Sequence, residues 1–181
     1  MLGLFHRTDE TWPWICPLVI VSACVFISSV ALISQYVGGH HPCTLCIAQR
    51  TPYVVAAIAA AAAGYIGRDD RLSAERIMLL GICALAFLYG SVTAFKHIGV
   101  EQSWWAGSLL CDGAMTGFGI NLEGQRLAAN ALFSVPEMTC SKGTWQLFNL
   151  SMATYNLIAN FAMMVFSATV ALLALLAARR A

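Results

Sequence analysis

Four long stretches of this chain contain no Asp, Glu, Lys or Arg: residues 11–49, 51–67, 77–95 and 143–178. Each holds an apolar body close to the roughly 20 residues that a helix needs to cross a bilayer. In a chain of 181 residues, four such runs leave little room for any other plan. The apolar bodies place spans at about 14–37, 47–66, 77–95 and 150–177, with the first run broken by Gly38-Gly39-His40-His41-Pro42. The expected fold is an all-α membrane protein: a four-transmembrane-helix bundle forming one domain over residues 1–181.

Composition supports the same plan. Hydrophobic residues make up 59% and charged residues 10%, where a soluble domain carries about 25% charge. The formal net charge of +1 excludes a disordered polyelectrolyte and a basic nucleic-acid-binding surface.

The loops that join the spans differ in charge. Arg7, the group Arg68, Arg71 and Arg76, and the pair Arg179 and Arg180 fall on one side of the bilayer. Arg50, Lys96, Arg126 and Lys142 fall on the other, spread over far more chain. Positive residues near span ends favour the cytoplasm. Both termini and the 67–76 loop are therefore expected there, with loops 38–46 and 96–149 on the opposite face. Val21-Ser22-Ala23-Cys24 has the form of a lipoprotein cleavage box, but Asp9 and Glu10 precede it and the chain stays apolar after it; no cleaved signal peptide is expected. Within the long loop, 125–133 reads as a short interfacial helix, with Leu127/Ala131 and Ala128/Leu132 four residues apart and Pro136 beyond.

The seven cysteines divide by location. Cys16, Cys24 and Cys83 lie in apolar spans, where cysteine acts as a small hydrophobe. Cys43, Cys46, Cys111 and Cys140 all fall in the two loops on one face. Cys43-Thr44-Leu45-Cys46 is a CxxC, compatible with a redox pair or with half a zinc site completed by His40, His41 or the loop cysteines. Haem attachment is excluded, because Ile47 and not histidine follows. If the second helix begins near Cys46, its first N–H groups and Arg50 one turn on both favour a thiolate there. Arg50 also suits a simple interfacial anchor that snorkels to water. Cys111 and Cys140 enclose 28 residues, a loop whose closure would stabilise the fold by roughly 3–4 kcal/mol on the chain-entropy model. They suit either a structural disulfide or exchange with the CxxC.

At these residues the chain resembles a known family. Pro42-Cys43-Thr44-Leu45-Cys46-Ile47-Ala48-Gln49-Arg50-Thr51-Pro52-Tyr53 is similar to the P-C-x-L-C-x-x-[QE]-R-x-P-Y signature of the DsbB disulfide-bond formation family. His97-Ile98-Gly99-Val100-Glu101-Gln102 before Trp104-Trp105, and the stretch WQLFNLSMATYN from Trp145 to Asn156, resemble two further segments of that family. The likeness covers essentially the whole chain. Ser141-Lys142 departs from it, since relatives often carry acidic residues after the fourth cysteine.

The resemblance implies a quinone-dependent protein thiol oxidase of the bacterial inner membrane, with its redox cysteines periplasmic. It would reoxidise a periplasmic DsbA-type thioredoxin-fold oxidase and pass electrons to ubiquinone or menaquinone. Cys111, disulfide-bonded to Cys140, would meet the partner's thiolate. Cys43 would exchange with that pair, and Cys46 would reduce the quinone. Arg50 would hold the quinone head group, with Gln49 and His97 nearby, and no metal is required. Glu101 and Gln102 are expected to be loop scaffolding. Two other readings remain: a vitamin K epoxide reductase-like quinone reductase, which would place its CxxC near a late helix, and a metal-binding membrane module built on His40, His41, Cys43 and Cys46.

Overall fold

The computed structural model describes residues 12–39, 42–66, 74–105, 146–147 and 150–179. Four helices in it are long and apolar enough to cross a membrane: Ile15–Tyr36, Leu45–Ile66, Ala74–Glu101 and Met152–Ala178. In chain order the elements are α1 (Trp12–Tyr36), α2 (Thr44–Ala48), α3 (Thr51–Ile66), α4 (Ala74–Glu101), β1 (Gln146–Leu147), β2 (Leu150–Ser151) and α5 (Met152–Ala178). The four-helix membrane bundle expected from the apolar runs is the fold observed.

Helix α4 is the hub. It packs along α5 on one side and α3 on the other, and α1 lies against α3. Between lipid-exposed helices there is little hydrophobic driving force, because lipid tails are as apolar as leucine, so close packing must hold the bundle. Helix α3 meets that need with alanine: Ala56, Ala59, Ala60 and Ala63 are buried. Cys16, Ile20 and Cys24 of α1 and Leu80, Cys83 and Phe87 of α4 complete the core around them. Leu18, Phe26, Val54, Ile58, Leu85 and Leu172 point outward, where a bilayer would cover them. One close approach depends on glycine: a Cβ added at Gly90 of α4 would overlap the carboxamide of Asn160 on α5.

Two boundaries differ from expectation, each for a local reason. The second span is not one unbroken helix from 47. Its first turn, α2, ends at Ala48, and Pro52 in the next turn has no N–H to continue the ladder onto Ala48. The Arg50 N–H closes instead on Ile47 at 3.0 Å. The third span runs beyond Phe95 to Glu101, so His97 and Glu101 sit on a helix rather than in a loop. Lys96, which ended the charge-free run, is exposed and leaves the helix intact. The chain turns back after Glu101 through Ser103 at φ 58°, a left-handed conformation uncommon for non-glycine residues. This lays the Trp105 ring on Gly99, where any Cβ would collide with it. The Trp105 indole N–H donates to the Lys96 carbonyl at 3.2 Å.

The all-α expectation needs one small addition. β1 and β2 pair antiparallel, with Gln146 opposite Ser151 and Leu147 opposite Leu150. Ser151 then caps α5, its hydroxyl accepting from the Thr154 N–H at 3.3 Å. The expected interfacial helix at 125–133 lies outside the described residues.

Candidate functional site

The site begins at Cys43, which is extended (φ −72°, ψ 168°) and caps the amino end of α2. Its Sγ accepts the Cys46 N–H at 3.2 Å. One helical turn brings Cys46 back over the cap, so the two sulfurs lie 2.7 Å apart. Leu45 and Val100 pack around the pair. This revises the expectation that the helix N–H groups favour a thiolate at Cys46: the helix starts at Thr44, and the sulfur that receives the N–H belongs to Cys43.

His97 arrives from the last turns of α4, with 5% of its surface exposed. Its Nε2 is 3.7 Å from Cys43 Sγ and 3.7 Å from Glu101 Oε1. Its Nδ1 is 3.1 Å from Gln49 Nε2. With the Gln49 amide so placed, its N–H donates to Nδ1, and the imidazole proton sits on Nε2 facing Cys43. Gln49 is held in turn. Its Oε1 accepts from Asn156 Nδ2 at 2.5 Å, Asn156 Oδ1 accepts from the Tyr53 hydroxyl, and Asn160 Nδ2 donates to that hydroxyl at 2.8 Å. A continuous polar chain thus runs from Cys43 through His97, Gln49, Asn156 and Tyr53 to Asn160.

The surroundings act on Cys43. Hydrogen bonding from Cys46 pulls its thiol down to about 4; burial opposes this, and the His97 hydrogen bond assists it. A thiolate is the nucleophilic form of cysteine, and values in this region belong to reactive rather than structural thiols. Glu101, expected as scaffolding, lies inside the site. Its side chain is 10% exposed, and its Oε2 is buried without a hydrogen-bond partner.

Arg50 is half-buried just beyond the helix break, and its Nη1 donates to Gln35 Oε1 of α1 at 2.7 Å. The structure therefore gathers Cys43, Cys46, Gln49 and His97 into one cluster, with Arg50 beside Gln49 in the chain. Cys111, Cys140, His40 and His41 lie outside the described residues. Sequence reasoning missed Gln35, Tyr53, Asn156 and Asn160. The available signal was a pair of asparagines one helical turn apart in an apolar span, where a polar side chain needs a partner.

Two chemistries are open to such a cluster. Adjacent sulfurs, one of them held as a thiolate, can form and break a disulfide. The donor atoms of Cys43, Cys46 and His97 also lie within 4.8 Å of one another, a set that could hold a soft cation.

Comparison with known proteins bears on the choice. An uncharacterised protein of Rickettsia prowazekii (strain Madrid E) is 24% identical over 149 residues, covering 82% of each chain. A protein of Chromohalobacter salexigens named disulfide bond formation protein B is 34% identical over 85 residues, 44% of this chain and 45% of its own. No solved structure gives a significant match. The family described as disulfide bond formation protein DsbB matches residues 13–170. With that match running from α1 through the CxxC into α5, the chain belongs to the DsbB family of disulfide bond formation proteins.

Proposed function

We propose that this protein is a thiol oxidase that moves electrons from a thioredoxin-fold dithiol partner to membrane quinone. One observation carries the reading: a CxxC at one end of a membrane bundle, its sulfurs 2.7 Å apart and Cys43 facing His97 at 3.7 Å. Family membership supports disulfide chemistry. The substrate, the partner and the orientation in a bacterial inner membrane, with the CxxC outside the cytoplasm, are our inference.

In the first step a partner thiolate attacks the Cys111–Cys140 disulfide, leaving the partner oxidised and the loop pair reduced. The loop pair then reduces Cys43–Cys46 by a second exchange. Each exchange moves two electrons and two protons between dithiol and disulfide. A thiol that ionises easily is a good leaving group, so the His97-facing Cys43 is suited to depart when Cys46 is attacked. This reverses the order implied by the resemblance, where Cys43 is the sulfur that exchanges with the loop pair. His97 Nε2–H keeps the departing sulfur charged, and Gln49 and Asn156 keep the imidazole pointed at it. Gln49 thus positions His97.

The donors present fit a quinone head group. Arg50 offers a guanidinium with five N–H donors, one of them engaged by Gln35, and exposed Ile47 lies between Cys46 and Arg50 in the chain. When bound, quinone supplies a two-electron, two-proton acceptor. Arg50 would hold a carbonyl oxygen, and Cys46 would present its sulfur.

The test is to feed purified protein a reduced thioredoxin-fold partner and follow a soluble quinone. Quinone reduction stoichiometric with partner disulfide is the expected result. Partner oxidation with no quinone consumed, or no oxidation at all, would remove the reading.

A further inference from the structure

We propose that the reduced cluster of Cys43, Cys46 and His97 is also a binding site for a thiophilic divalent cation of the zinc type. Occupation of that site would hold the pair as a dithiolate and block its oxidation.

The three donor atoms lie within 4.8 Å of one another, and one of their separations already matches a zinc site. Tetrahedral zinc with ordinary Zn–S and Zn–N bonds sets neighbouring S···N distances of about 3.6 Å and S···S distances of about 3.8 Å. Cys43 Sγ to His97 Nε2 is 3.7 Å. The two sulfurs, at 2.7 Å, would need to part by about 1 Å, a movement within reach of a side-chain torsion at half-buried Cys46. The nearby charge also suits a cation. Glu101 is nine-tenths buried beside His97, and its Oε2 has no hydrogen-bond partner. Two thiolates and this carboxylate would leave a divalent ion amply neutralised.

The outer hydrogen bonds suit a metal-bound imidazole, which normally donates from its second nitrogen to an oxygen. Half a turn of the Gln49 amide presents its oxygen to Nδ1–H, and turning Asn156 with it preserves their mutual bond. Asn160 Oδ1, buried and without a partner, is a spare acceptor at the far end of the chain. Three protein donors leave a fourth position for water or an exogenous ligand. Binding takes both sulfurs as thiolates, so it releases whatever thiol proton the pair still carries and moves no electrons; a pair whose sulfurs are both bound to metal cannot close a disulfide.

The inhibitory consequence rests on the proposed oxidase function, whereas the binding does not. Full-length protein carrying Cys111→Ser and Cys140→Ser should be reduced, freed of reductant under anaerobic conditions, and titrated with cadmium. One ion per chain should bind, with a thiolate-to-cadmium charge-transfer band in the ultraviolet, and zinc should displace it. Cys43→Ser with Cys46→Ser should abolish the band. His97→Ala should weaken binding at least tenfold, and His97→Cys should restore it. The same protein with Cys43–Cys46 oxidised, which tests the fold without a substitution in the cluster, should give no band. A band surviving loss of Cys43 and Cys46, equal affinity in folded His97→Ala, or no band in the reduced protein would each overturn the proposal. Metal-free protein that fails to reduce quinone would sink the oxidase reading and leave this binding result standing.

Discussion

Cys43 and Cys83 are both buried cysteines in one small bundle, and their sulfurs play opposite parts. Cys83, in the middle of α4, donates its S–H to the Ala56 carbonyl at 3.5 Å and packs with Cys16, Cys24, Ile20 and Phe87. Cys43, at the bundle's end, accepts an N–H and faces an imidazole. A sulfur used as a donor must keep its proton, whereas one surrounded by donors is free to lose it. Burial alone therefore does not mark a reactive cysteine; the direction of the hydrogen bonds at the sulfur does.

The sharpest way to break this comparison is to remove each set in turn. Cys46→Ser should abolish quinone reduction, a loss of at least about a thousandfold expected for one member of an obligatory pair. Replacing Cys16, Cys24 and Cys83 together by alanine should leave the turnover of folded protein within about twofold, since structural thiols take no part in exchange. Loss of turnover in the folded triple variant would refute the division.

The second test concerns pH. With its thiol held at about 4, Cys43 is a thiolate at any higher pH. It protonates, and loses nucleophilicity, only as the pH falls through that value. Its alkylation in the reduced protein should therefore vary little between pH 5 and pH 8. In His97→Ala the thiol should rise toward the ordinary range. Alkylation at pH 5 should then slow about tenfold, with little change at pH 8. A flat profile in the variant would mean that Cys46 alone holds the thiolate.

Much of the pattern behind these tests was legible in the sequence. The charge-free runs revealed the four spans, and the Pro42–Tyr53 motif located the CxxC. The helical setting of His97 was not legible, because a search for charge-free runs stops at Lys96, yet an exposed lysine on a helix end costs little. Glu101 looked like scaffolding because nothing in its spacing says that the last turn of α4 is buried. The roles of Asn156 and Asn160 depend on a partner helix roughly a hundred residues away, a relation that no local periodicity carries.

Arg50 sharpens the comparison from the quinone side. If its guanidinium holds a quinone oxygen, Arg50→Lys should raise the apparent quinone KM about tenfold, roughly 1.4 kcal/mol. Exchange between the cysteine pairs should stay unchanged. Steady-state kinetics at varied quinone, beside a single-turnover exchange assay, checks this. An unchanged KM would return Arg50 to an anchor tied to Gln35.

The smallest effect belongs to the bundle's middle. Gly90→Ala should push Asn160 off Tyr53, costing about 1–3 kcal/mol by overpacking, read as a lower Tm in detergent. Because Tyr53 also holds Asn156, the variant should slow Cys43 alkylation at pH 5 less than His97→Ala does. A stable Gly90→Ala protein would show that α4 and α5 can separate there without loss.

The bond between Gln49 and Asn156 has a consequence for how the protein is made. The two residues are separated by 107 positions, so Gln49 enters the membrane long before the helix that will steady it has been synthesised. Until α5 docks, neither that amide nor the Tyr53 hydroxyl has its final partner, and the imidazole beside Cys43 lacks its full support. The nascent chain therefore carries its CxxC while the means of tuning it is incomplete. Full thiol reactivity becomes a property of the finished protein, which limits stray disulfide chemistry during biosynthesis.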